Sequence, residues 1–150
     1  MTSTKNVTGN IIKKKNLDAN IQKLIHEAVE ARTFAYCPYS KFKVGASVLC
    51  EDGTLYTGCN IENACYNVGI CAERCAYSKA LSEGKTKYQA VVVVAQQEDR
   101  FTPPCGACRQ FMSEFGNVDV YITKPGYEDV LVTSLNELLP FQFEFTNNQG

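Results

Sequence analysis

The chain has 150 residues, 45% hydrophobic and 21% charged, with a formal net charge of -1. That length suits one domain around a single core, and the balance of apolar to charged residues excludes a disordered chain. Near-neutral charge gives no overall positive field for a phosphate backbone or an anionic membrane, so neither nucleic acid nor membrane is an expected partner, and a small neutral substrate fits better.

Residues 1–16 are polar and aperiodic and read as a disordered N-terminal extension, leaving 17–150 as the folded domain. Lys13, Lys14 and Lys15 form the only basic run, a solvated stretch ahead of the first helix. Over 18–34, Ile21, Leu24, Ile25, Ala28, Val29 and Ala31 recur at three- and four-residue spacing, the stripe of an amphipathic helix with Asp18 as its cap. Segments 43–50 and 54–59 flank Glu51, Asp52 and Gly53 and read as a β-hairpin. A loop over 60–70 leads to a helix over 71–81 that stops before Gly84. The valine-dominated run 90–95 predicts a central strand covered on both faces. After Pro103 and Pro104 comes a helix over 107–115 closed by Gly116, then strands over 118–123 and 129–132 and a short capped helix over 134–139. This order predicts an α/β fold, a three-layer α/β/α arrangement around a central mixed sheet.

Two segments carry chemistry: Cys71-Ala72-Glu73-Arg74 and Pro104-Cys105-Gly106-Ala107-Cys108-Arg109, each at the start of a predicted helix. The two-residue gap between Cys105 and Cys108 lets both thiolates hold one ion, and Cys71 supplies a third. Three protein ligands leave a place for water, which distinguishes a catalytic zinc from a closed structural one. Residues two apart in a regular helix point about 200° away from each other. Cys71 and Glu73 therefore share a site only if Cys71 is the cap and Glu73 lies in the first turn. Both helix N-termini then aim N–H groups at the cluster and favour thiolate over thiol. Three thiolates outweigh the charge of zinc by one, so Arg74 and Arg109 are candidates to hydrogen-bond the sulfurs; the competing reading is two surface arginines. Glu73 is the general acid/base candidate, its bland alternative being a carboxylate that caps a helix.

The other five cysteines, Cys37, Cys50, Cys59, Cys65 and Cys75, could pair in a secreted protein. With no apolar leader and no apolar run of roughly 18 residues, the expectation is a cytoplasmic protein with reduced thiols. Cys75 and Cys65 are spare fourth-ligand candidates, with burial as the simpler role for Cys75. His26 reads as a packing or surface residue of the first helix.

These motifs resemble the cytidine deaminases, specifically their small homotetrameric three-cysteine branch, over about residues 18–143. The related His-x-Glu with Pro-Cys-x-x-Cys signature belongs to the zinc deaminases generally, and Cys71 stands where other branches place the histidine. Further blocks agree: Tyr39-Ser40-Lys41-Phe42-Lys43-Val44-Gly45-Ala46, Gly58-Cys59-Asn60-Ile61-Glu62-Asn63-Ala64 and Glu137-Leu138-Leu139-Pro140. The resemblance implies zinc-dependent hydrolytic deamination at C4 of cytidine or deoxycytidine, in pyrimidine salvage, with one zinc per subunit. It implies that Asn60 and Glu62 bind the ribose hydroxyls, that Phe42 packs beside the nucleoside, and that Ala72 also contacts it. Tyr66 and Phe143 are implied to reach a neighbouring subunit's site in a homotetramer with shared active sites, Phe143 stacking on the base. Phe143-Glu144-Phe145-Thr146 replaces the usual Gly-Pro after that aromatic, which leaves Phe141 and Phe145 as other candidates for the ring. The competing expectations are a deaminase acting on a nucleotide or another heterocycle, which the Glu62 carboxylate argues against, and a non-catalytic zinc-stabilised binding module, which needs four protein ligands.

Overall fold

In the computed structural model of the chain, which describes residues 9–145, the valine-rich run lies at the centre of the sheet. Strand β4 (Tyr88–Ala95) sends Val91 and Val93 into one apolar cluster and Ala90, Val92 and Val94 into another. Successive strand residues face opposite sides, so a strand that is apolar throughout must be covered on both. Helix α1 (Ala19–Arg32) covers one face with Ile21, Leu24, Ile25 and Ala28. Helices α2 (Ala72–Ser82) and α3 (Gly106–Ser113) cover the other with Ala76, Tyr77, Ala80, Cys108 and Met112. The remaining elements are β1 (Asn10–Lys13), β2 (Val44–Cys50), β3 (Leu55–Cys59), β5 (Asp119–Thr123), β6 (Asp129–Ser134) and α4 (Leu135–Leu138).

The strand order is β1-β6-β5-β4-β2-β3, with β4 and β5 parallel and the other neighbours antiparallel. This is the expected α/β/α arrangement around a mixed sheet. α3 is the crossover between the parallel pair, so it starts where β4 ends; α2 feeds directly into the start of β4, so its own start also lies toward the end of β4. Both helix N-termini are thereby brought to the carboxyl end of β4, where the chemistry of an open α/β sheet gathers.

Two local features fix α2 in place. Gly58 of β3 sits beneath it so closely that a Cβ there would stand 2.4 Å from Ala72 O and 2.5 Å from Ala76 N. Only glycine allows that approach, and a bulkier residue would displace the helix that carries Cys71 and Glu73. Tyr77, buried on the same helix, packs against Tyr88 with ring centroids 4.5 Å apart.

Residues 10–16 correct the expectation of a disordered extension. Asn10–Lys13 pairs antiparallel with β6, Lys14 N donates to Glu128 O, and a one-turn helix at Lys14–Asn16 leads into α1. Lys13 and Lys14 reach Asp129 and Glu128 at 2.6 and 3.4 Å, so the basic run secures a sheet edge as well as facing solvent. Residues 1–8 of the expected extension lie outside the described residues.

α4 has the capping box that its sequence advertises. Ser134 N donates to Glu137 Oε2 at 2.9 Å, Glu137 N donates back to Ser134 Oγ at 3.3 Å, and Thr133 Oγ1 adds a 2.8 Å bond to the same carboxylate. These donors, Thr133 first, hold the Glu137 carboxyl below its usual value. A carboxyl depressed in the folded state stabilises above its unfolded pKa, and that contribution disappears as pH falls through the folded value. Wild type should therefore melt higher than Glu137→Gln at pH 7, with the gap closing below about pH 4. Melting temperatures of both proteins across that range check it, and a gap that persists in acid would contradict it.

Candidate metal centre and substrate cleft

Cys71 and Cys105 occupy the N-cap positions of α2 and α3, both in extended backbone, and Cys108 falls in the first turn of α3. Caps precede the helical twist, which is how residues 71 and 73 come to face one place. The sulfurs of Cys71, Cys105 and Cys108 all lie within 4.8 Å of one another, with Cys71 and Cys105 Sγ 3.8 Å apart. Among the described residues no fourth His, Cys, Asp or Glu joins that cluster, so neither Cys75 nor Cys65 closes it.

Glu73 is only 4% exposed, and Cys108 Sγ donates to its Oε2 across 3.8 Å. Burial, reinforced by the Cys71 charge, pushes the Glu73 carboxyl up to about 7. Cys71 moves the other way, to about 5, through the hydrogen bond from Cys108 and those from Arg74 and Cys105. Cys108, facing that thiolate from a buried position, is pushed up. Arg74 Nη2 donates to Cys71 Sγ at 3.5 Å, and this contact holds the guanidinium firmly charged. Its Nε is buried with no partner. An all-sulfur donor set with a cation against it fits a soft divalent ion such as zinc, whose excess ligand charge the arginine offsets.

Arg109 does not take the position beside the thiolates that its neighbour Cys108 suggested. Its Nε donates to Pro104 O and its Nη1 to Leu138 O, each at 2.7 Å. One helical step of about 100° turns it away from the sulfurs and toward two carbonyls.

A cleft of about 520 Å³ opens beside Cys71 and Arg74, lined by Tyr39, Ser40, Asn60, Glu62 and Tyr66 among others. Asn60 is anchored at both ends of its amide: Val44 N donates to its Oδ1 and its Nδ2 donates to Phe42 O, both at 2.8 Å. One N–H and one lone pair remain for a ligand. Glu62 Oε1 accepts from Tyr39 N at 3.0 Å and Ser40 N at 3.1 Å. Hydrogen bonds from Ser40, side chain first and then backbone, lower its carboxyl. Between these two clamps Lys41 adopts a left-handed backbone, φ 59°. The pair expected to hold a sugar thus also holds the strap that carries Phe42.

Three expected substrate contacts do not line the cleft of a single chain. Phe42 is half-buried on the strap, Ala72 is fully buried, and Phe143 is largely exposed elsewhere. Tyr66, expected at a neighbour's site, lines this chain's own cleft. Tyr39 and Ser40 are cleft residues to which sequence alone assigns no role; the signal was their place three and two residues ahead of Phe42.

Residues 18–124 match the family model for the cytidine and deoxycytidylate deaminase zinc-binding region. A cytidine deaminase from Sporosarcina psychrophila is 49% identical over 126 residues, spanning 83% of this chain and 91% of that protein. A probable cytidine deaminase from Dictyostelium discoideum is 45% identical over 123 residues, spanning 82% and 83%. Among solved structures, the cytidine deaminase from Burkholderia pseudomallei superposes with a TM-score of 0.77 at 44% identity, over 81% of this chain and 98% of that one.

Proposed function

The chain belongs to the family of zinc-binding cytidine and deoxycytidylate deaminases, and we propose that it hydrolyses cytidine and deoxycytidine to uridine and deoxyuridine with release of ammonia, a step of pyrimidine salvage. Its cofactor is zinc, one ion per subunit, held by Cys71, Cys105 and Cys108. When bound, the ion supplies the Lewis acidity that makes water nucleophilic near neutral pH. Three protein ligands, one fewer than a closed structural site uses, suit that role.

The observation that carries this reading is the buried Glu73 carboxyl set against the sulfur cluster, 3.8 Å from Cys108 Sγ, where a general acid/base must stand. Glu73 moves the first proton of the attacking water to the ring nitrogen next to C4 and the second to the departing amine. The water oxygen becomes the C4 carbonyl, and ammonia carries the amine away. Arg74 offsets the surplus negative charge of the thiolates.

Asn60 and Glu62 bind the ribose hydroxyls, Asn60 through the amide N–H that its contact with Phe42 O leaves over and Glu62 through its carboxylate. Phe42, half-buried on the strap, packs beside the nucleoside. The Glu62 carboxylate repels a 5′-phosphate, which favours nucleoside over nucleotide. With purified protein and a substrate panel followed by ultraviolet absorbance, cytidine and deoxycytidine should exceed deoxycytidylate in kcat/KM by about tenfold or more. A preference for deoxycytidylate would favour the nucleotide branch of the family instead.

Tyr66, Phe141 and Phe143 are 84%, 106% and 71% exposed, a cost that a second copy of the chain would remove. This supports a homotetramer in which Phe143 completes a neighbour's site. Native mass measurement should give four chains of 16.6 kDa, and a fully active monomer would rule out shared sites. No helix among the described residues is long and apolar enough to cross a membrane. Eight unpaired cysteines, three needed reduced for the metal, support a cytoplasmic location.

A further inference from the structure

Two consecutive residues of α3 that take no part in the proton transfers hold the segment carrying the candidate stacking rings. Arg109 joins Pro104 O, just ahead of Cys105, to Leu138 O at the end of α4. Gln110 Nε2 donates to Phe143 O at 3.0 Å. The first contact satisfies a carbonyl that the C-terminus of α4 leaves without a helical partner, and the planar guanidinium suits two acceptors at once. Between the two anchor points the chain turns through Phe141 in a left-handed backbone, φ 53°. Among Phe141, Phe143 and Phe145, Phe143 is the one whose carbonyl is bonded to the body of the protein in the described hydrogen bonds.

We infer that Arg109 and Gln110 are positioning residues that brace the C-terminal segment against the helix bearing Cys105 and Cys108, and so select Phe143 as the ring that covers the base. The inference rests on the shared-site reading above for its kinetic consequence. A ring whose main chain is fixed has less freedom to lose when it closes on a nucleoside, so the brace acts on binding. Removing it raises KM and leaves kcat close to wild type.

The chain contains no tryptophan, so Phe143→Trp provides a single fluorescent reporter in the assembled, zinc-loaded enzyme. Adding Gln110→Ala, or Arg109→Lys, which keeps the charge but cannot span two carbonyls, should lower the anisotropy and raise acrylamide quenching while zinc content is unchanged. Unchanged fluorescence in both would overturn the brace. In the kinetic arm, Gln110→Ala should raise KM about fivefold, the usual worth of one hydrogen bond, yet add nothing in a Phe143→Ala background. An equal rise in that background would overturn the claim that Gln110 acts through this ring. If Phe143→Ala itself leaves KM unchanged, the base-covering role fails, and the fluorescence arm still decides the brace.

Discussion

Glu73→Gln should lose about 10² to 10⁴ in kcat while still binding one zinc per subunit, the range that removal of a positioned general acid/base produces. Glutamine keeps the shape of the side chain and fills the same buried space, so α2 and the sulfur cluster should stay in place. It cannot take a proton from water or return one to the amine. The expectation depends on Glu73 standing next to the reacting centre, for which the 3.8 Å contact with Cys108 Sγ is the structural ground. Because the variant keeps uniform binding of the nucleoside, KM should move far less than kcat. Stopped-flow or steady-state absorbance, paired with metal analysis of the same preparation, separates the two parameters. Turnover within tenfold of wild type would remove Glu73 from the proton path, and loss of zinc would show that it supports the metal instead.

The sequence made the chemistry legible because a metal site leaves a local trace. Spacing put Cys105 and Cys108 on one turn, and helix geometry required Cys71 to be a cap; both placements are found. Periodicity worked for the same reason, since the unbroken apolar stretch of β4 could only belong to a strand covered twice. What stayed hidden depends on partners distant in the chain. Asn10, Ile11, Ile12 and Lys13 have no strand pattern of their own and become one by pairing with β6. Arg109 adjoins a metal-binding motif, yet the carbonyls it reaches are fixed by tertiary packing. Asn60 and Glu62 could be paired with a sugar from family resemblance, but nothing local in the sequence told that their first partners are the main chain of residues 39–44.

That double duty constrains the cleft. Glu62 and Asn60 fix Tyr39, Ser40, Phe42 and Val44 before any ligand arrives, so a change at either residue moves the strap as well as deleting a contact. Preorganisation of this kind lowers the ordering cost of binding. It also means that the effects of substituting residues 60 and 62 are not additive, since both act on one strained segment around Lys41.

Cys108→Ser should reduce bound zinc from one per subunit to less than about a tenth and abolish measurable deamination, because a serine hydroxyl does not replace thiolate toward a soft ion. Cys108 is fully buried, and without the metal its side chain faces Cys71 and Glu73 with no ion to balance them. Metal binding free energy is folding free energy wherever the site does not exist in the unfolded chain, so the variant should also melt lower. Serine is nearly isosteric with cysteine, so the fall should match that of wild type stripped by a chelator. Cys75→Ser supplies the contrast: Cys75 lies one turn along the same helix but outside the sulfur cluster, so it should keep full zinc and activity. Metal analysis and melting curves of the two variants and of chelated wild type decide the matter. If Cys75→Ser loses its zinc, the ion has a fourth protein ligand, and the closed binding module replaces the open catalytic centre.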